Sequence, residues 1–189
     1  MGSTTTDGLS YVLLDRDGAE KYRDSLITLL QSCVNDDPPA SSIGFLAPLR
    51  DTAADAYWTA VFDDLAAAPS APTLLVVPDA NDPSSSSVVA TVQIARYAKE
   101  THAHKGEIRK LLVHPSHRRG GLGRRLMDAV ERIAREDLGI GMLLLDTARD
   151  TPARQFYRRL GWTEWGMCPE YARFADGRMS DCSFFYKKL

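Results

Sequence analysis

Residues 107–138 read EIRKLLVHPSHRRGGLGRRLMDAVERIAREDL: a strand, a tight glycine-rich turn and a long helix in succession. Residues 107–113 carry the β-branched and leucine-rich signature of a buried strand, and Pro115, with no N–H to give a ladder, stops it. From Leu122 the apolar positions Leu122, Leu126, Ala129, Val130, Ile133, Ala134 and Leu138 repeat at helical spacing, with the arginines on the other face. Between strand and helix stands Arg118-Arg119-Gly120-Gly121-Leu122-Gly123. Glycines let the chain turn and a ligand approach the backbone, and the first helical turn offers free N–H groups at the positive end of the helix dipole. Two arginines add charge. The stretch reads as an anion cradle, best suited to a diphosphate; a plain turn with solvated arginines is the bland alternative.

Composition bounds the rest. A chain of 189 residues is expected to form one domain, with a substantial core. Hydrophobic content of 44% and charge of 25% are ordinary for a globular protein, and a net charge of −2 gives no electrostatic reason to expect nucleic acid. No apolar run approaches a membrane span, so no membrane partner is expected. Cys33, Cys168 and Cys182 are odd in number and scattered, which suits reduced thiols and a cytoplasmic setting. Met1-Gly2-Ser3-Thr4-Thr5-Thr6 meets the crude myristoylation pattern. No polybasic segment follows and one acyl chain anchors poorly, so residues 1–8 are expected to be a flexible polar leader before a single domain over 9–189.

Along that domain, residues 9–14 are expected as a strand and Asp15 or Asp17 to cap a helix running to about Val34. An apolar loop follows over 41–49, with Ile43, Phe45 and Leu46, then a second helix from Asp51 to about Ala67 bearing Tyr57, Trp58, Val61, Phe62 and Leu65. That stripe is expected to pack, with Phe45 and Trp58 the candidates to wall a substrate pocket. Pro69–Pro72 breaks the helix. Strands are expected at 73–77 and 88–97, joined by a polar turn at 79–87. Beyond the long helix, Met142–Leu145 reads as a buried strand, Asp150-Thr151-Pro152 as a helix start, Gly161 as its stop, and 162–167 with 182–189 as a closing strand pair. The order is β α α β β β α β α β β, an α/β chain with a mixed, mostly antiparallel sheet and helices on both faces.

No P-loop string occurs, and Leu126 stands where a dinucleotide fingerprint needs its third glycine. What is present is Arg118-x-x-Gly121-x-Gly123 after a strand ending Leu111-x-Val113-x-Pro115, and this resembles the GNAT (GCN5-related N-acetyltransferase) superfamily. The element order and the string Ala153-x-x-Phe156-Tyr157-x-x-Leu160-Gly161-Trp162 resemble it independently. Within the superfamily, several segments over 41–189 resemble tabtoxin-resistance acetyltransferases: Gly44-Phe45-Leu46-x-Pro48-Leu49, Tyr57-Trp58, His104-x-x-Glu107, Leu144-x-Asp146-Thr147, and Pro169-x-Tyr171 with Asp176-Gly177-Arg178.

The resemblance implies a GNAT fold that binds acetyl-CoA as co-substrate. Leu111, Leu112 and Val113 would pair with the pantetheine arm as an added strand, with the Val113 N–H facing the developing oxyanion. Arg118, Arg119, Gly120, Gly121, Leu122, Gly123 and Arg124 would hold the pyrophosphate. Asp150 stands where the family commonly has Asn, so it would cap its helix and carries the pantetheine contact only by position. Tyr157 is the candidate general acid, since a phenol of pKa ~10 can donate to a departing thiolate whose conjugate acid is near ~8.5. Asp146 and Glu107 are the candidate bases, each able to act through water, with Asp146 favoured. Strand alternation groups Glu107 with Arg109, Leu111 and Val113 unless a bulge intervenes. His104 is a candidate to position substrate. His102-x-His104 and His114-x-x-His117 lack partners at metal spacing, so no metal is expected. The chemistry points to acetyl transfer onto a small, amino-acid-like toxin or antibiotic amine. A protein or peptide N-acetyltransferase and a non-catalytic CoA-binding module are the alternatives, and a homodimer is left open.

Overall fold

The computed structural model describes residues 3–6, 8–36, 38, 41, 44–67, 71–81 and 87–189. Its sheet comprises β1 (Ser3–Thr6), β2 (Leu9–Leu14), β3 (Thr73–Pro78), β4 (Val88–Arg96), β5 (Lys105–Val113), β6 (Met142–Ala148), β7 (Thr163–Arg173) and β8 (Met179–Lys188), in the order β1-β2-β3-β4-β5-β6-β8-β7. Every neighbouring pair is antiparallel except β5 and β6. Helices α1 (Arg16–Lys21), α2 (Arg23–Gln31) and α3 (Asp51–Asp64) pack on one face with Leu14, Leu74 and Val76. Helices α4 (Leu122–Glu136) and α5 (Pro152–Arg159) cover the other, around Ile94, Leu126, Val130, Leu143 and Phe185. The expected α/β architecture is the observed one.

Three expectations need correction. Part of the polar leader is a strand, because Ser3–Thr6 pair antiparallel with Leu9–Val12. The first helix is two: Tyr22 leaves helical geometry at φ −102°, ψ 4°, and the second segment ends in a π-helical turn over Ser32–Asp36. That wider turn puts Cys33 and Val34 into the core, where the Cys33 thiol lies 3.5 Å from the Val113 carbonyl. The last helix is capped by Thr151, not Asp150, and the Thr151 hydroxyl donates to the Ala148 carbonyl. Ile43 of the apolar loop, Pro69 and residues 82–86 of the polar turn lie outside the described residues.

Candidate active site

The sheet splits at its centre. β5 and β6 pair only where Lys105–Glu107 meet Met142–Leu144; beyond that register each strand continues alone on the facing side. The divergence opens a cleft of about 1190 Å³, running from the turn before α4 to Tyr57 and Gln93. A strand edge exposed inside a cleft presents unpaired N–H and C=O groups in a row, which an extended polar chain can complete.

A β-bulge reshapes β5 just there. Gln93 faces Arg109 and Thr91 faces Leu112, so β5 holds Lys110 and Leu111 where β4 holds Val92 alone. Lys110 takes φ +47°, in the left-handed region that side chains rarely adopt. The extra residue breaks the expected parity. Ile108, Leu111 and Val113 all pack toward α4, whereas Leu112 packs toward α2 and α3. Glu107 and Arg109 therefore do not share a face with Leu111 and Val113.

At one end of the cleft lie Leu111, Leu112, Val113, Arg118, Arg119, Gly121, Leu122, Gly123 and Arg124. Gly121 caps α4 at φ +78° with no side chain over the first turn, so the helix N-terminus faces the opening. A Cβ on Gly120 or Gly121 would meet nothing within 4 Å, which leaves the approach to these N–H groups clear. Gly120 is exposed at the tip. Gly123 matters for packing rather than for access. A Cβ there would touch the Phe156 ring at 3.5 Å, so its small size brings α4 against α5. Arg119 and Arg124 are exposed at the rim. Arg118 turns inward instead, its Nε donating to the Val113 carbonyl at 2.9 Å, and so braces the end of β5. A helix N-terminus flanked by guanidinium groups beside a free strand edge fits a diphosphate with a polar tail.

The other end gathers charge. Glu107, Arg109, Lys110 and Asp146 line it together with Tyr57 and the buried Gln93, whose amide donates to the Tyr57 hydroxyl at 3.0 Å. Glu107 accepts two hydrogen bonds from Arg109, at 3.1 and 2.8 Å, and a long one from the Tyr97 hydroxyl. Asp146 is exposed on β6 and accepts a 3.4 Å contact from the Cys182 thiol. Burial, reinforced by the Asp146 charge and hydrogen bond, pushes that thiol up to about 12, so it remains a donor at neutral pH. Asp146 is also felt by Tyr157, Lys110 and Tyr171.

Tyr157 is 8% exposed on α5, its ring held by Phe156, Trp162 and Phe185 at 5.2 to 6.0 Å between centroids. Burial, with the Asp146 carboxylate adding to it, raises its hydroxyl well above the ordinary tyrosine range. Among the described residues no protein group hydrogen-bonds that hydroxyl. Lys110 is the opposite case: burial lowers its pKa, while its ammonium sits 4.7 Å from the Phe45 ring centre and 5.4 Å from that of Tyr57.

Thus Tyr157, Asp146 and Glu107 do converge on the cleft, and Phe45 stands behind it against Tyr57 and Lys110. Three expected participants do not. Trp58 is fully buried, with its indole N–H spent on the Leu26 carbonyl, so it is core and not pocket wall. His104 is exposed on the turn before β5, outside the cleft lining, and its carbonyl accepts from the Gly141 N–H. Asp150 is exposed and also outside that lining. Tyr57, Gln93 and Lys110 line the cleft, and sequence reasoning did not single them out as site candidates. Tyr57 stood in an apolar stripe and, beside Trp58, in a segment carrying the family resemblance; neighbours on a helix differ by about 100°, and neither pattern says which of the two faces the cleft. No group of three or more His, Cys, Asp or Glu able to hold a metal occurs among the described residues, and none of their helices is long and apolar enough to cross a membrane.

The sequence model of the Acetyltransferase (GNAT) family matches residues 38–162. Among solved structures, the chain is similar to the ribosomal-protein-S5-alanine acetyltransferase of Vibrio fischeri, at 13% identity and TM-score 0.74 over 100% of this chain and 97% of that one. It is similar to a putative acetyltransferase of Salmonella typhimurium solved with acetyl-CoA, at 17% identity and TM-score 0.68 over 95% and 92%. It is also similar to a putative phosphinothricin N-acetyltransferase, at 18% identity and TM-score 0.66 over 95% and 99%.

Proposed function

The chain belongs to the acetyltransferase (GNAT) family, and from that premise we propose that it acetylates the amine of a small, amino-acid-like molecule. The observation that carries this reading is the acceptor end of the cleft. Two carboxylates, an arginine and a lysine meet there within a few residues of strand, backed by Tyr57 and Gln93. Such a site complements a compact molecule bearing both an amine and an anionic group. The resemblance to tabtoxin-resistance acetyltransferases supports the same substrate class, and a resistance role goes with it.

Acetyl-CoA, when bound, supplies an activated acyl carbon and a thiolate leaving group. The residues present fit it: the free edge of β5 for the pantetheine amides, the open N-terminus of α4 with Arg119 and Arg124 for the pyrophosphate. Asp146 takes the proton of the acceptor ammonium, directly or through water. Glu107 is the weaker candidate, because its oxygens are already engaged by Arg109. A lysine-like amine of pKa ~10 must lose that proton before it can attack. Tyr157 gives its proton to the leaving thiolate; raised by burial and by Asp146, it is fully protonated at neutral pH and available as an acid.

The test is release of free CoA from acetyl-CoA across small amines, amino acids and peptides with free N-terminal or lysine amines. Turnover of small amino compounds is expected. Turnover confined to peptides would transfer the reading to a protein N-acetyltransferase. Binding of acetyl-CoA without turnover of any amine would leave a CoA-binding module.

A further inference from the structure

Lys110 is an amine already inside the cleft. Of the six lysines in the chain it is the one that lines the cleft. The bulge directs it: at φ +47° Lys110 leaves strand alternation and reaches Phe45 and Tyr57, immediately before Leu111 on the edge expected to carry the thioester. Lys110, Asp146 and Tyr157 line the same cleft, and the Lys110 ammonium and the Tyr157 hydroxyl both feel the Asp146 carboxylate.

We propose that Lys110 is a self-acetylation site, an acceptor of the acetyl group when no external amine occupies the cleft. The inference rests on the acetyl-transfer reading. In the step, the ammonium of Lys110 first gives a proton to Asp146 or its water. The neutral Nζ then attacks the thioester carbonyl carbon, an N–C bond forms, the C–S bond breaks, the thiolate takes the Tyr157 proton, and the second proton shed by the nitrogen as the amide forms restores the Tyr157 hydroxyl. The products are Nε-acetyl-Lys110 and free CoA. Burial favours the neutral amine at Lys110, which the exposed lysines lack as an advantage. The modified side chain would replace a cation beside Arg109 with an acetamide against Phe45 and Tyr57, filling part of the acceptor end and slowing acetylation of external amines.

The full chain is incubated with acetyl-CoA and no acceptor, then followed by intact mass and peptide mapping. A single acetyl group on Lys110 is expected, absent in Lys110→Arg, slowed in Tyr157→Phe, and suppressed when a good external amine is present. Acetyl groups scattered over the surface lysines at the rate seen with urea-unfolded chain would overturn the proposal. So would an unmodified Lys110 in protein that binds acetyl-CoA and turns over amines, an outcome that leaves the function reading intact. Failure to bind acetyl-CoA in calorimetry would overturn both.

Discussion

Tyr157, the proposed general acid, shows what surroundings add to one side chain. A tyrosine on a helix against Trp162 and Phe185 is ordinary packing; what differs is that Tyr157 lines the cleft within the field of Asp146. Tyr157→Phe keeps the ring contacts and removes the proton donor, so kcat is expected to fall by roughly 10²–10⁴ while acetyl-CoA affinity, read by calorimetry, is unchanged. Because its folded pKa is raised, the acid form persists as pH increases. The rate should therefore climb as the acceptor amine deprotonates and show no falling limb below pH ~10; a limb near pH ~8 would exclude Tyr157 as the acid. The two carboxylates separate in the same way. Asp146→Asn should lower kcat by about 10²-fold or more. Glu107→Gln should act chiefly on KM, by releasing Arg109 from its pairing. Motif position in the sequence picked out Tyr157, Asp146 and Glu107. It could not pick out Lys110, whose aim depends on a bulge created by pairing with a strand fourteen or more residues away.

At the scale of elements, the turn before α4 and the seat of α5 do most to fix the geometry. Gly121 at φ +78° caps α4 where a β-branched residue would be strained by about 1–2 kcal/mol. Gly121→Val should raise KM for acetyl-CoA more than it lowers stability, since no protein atom obstructs the added side chain and the obstruction falls on the ligand. Helix α5 is fastened to β7 by Glu164, which accepts from Arg154 at 3.0 and 3.2 Å and from Arg158 at 3.0 Å. Burial alone would raise the pKa of Glu164, but these guanidinium groups outweigh it and bring it to about 2. The sign follows: a depressed carboxylate contributes stability that is full above the unfolded value of ~4.3 and is lost as pH falls toward about 2. Glu164→Gln should cost about 1–3 kcal/mol at neutral pH, with the gap to the parent protein closing on acidification in urea titrations at pH 7 and pH 3. The helix and strand it joins were legible from apolar period and from Pro152 and Gly161. The salt bridge was not, since it links side chains that meet only after β7 folds back.

For the whole molecule, the decisive feature is the parting of β5 from β6 after a short parallel register. A ligand that completes the β5 edge would bind only the folded chain. Acetyl-CoA at a hundredfold excess over its Kd should then stabilise the protein by about 2.7 kcal/mol, visible as a rise in Tm. The register that does form is tight. A Cβ on Gly106 would come within 3.0 Å of Ile94 and 3.1 Å of Ile140, so Gly106→Val should destabilise strongly and disturb the mouth of the cleft. By itself the sequence determined the α/β class and nearly every element, and it singled out the glycine-arginine turn and Tyr157 as candidates, because apolar period, turn residues and motif spacing are local properties. Only the tertiary structure decided which neighbour of a pair faces the cleft. Trp58 is core and Tyr57 is pocket; Leu111 lies with Val113 on one face while Glu107 and Arg109 lie across from them. Those choices turn on one extra residue in β5 and on the packing of α3. Both are set by contacts distant in sequence, and no local pattern encodes them.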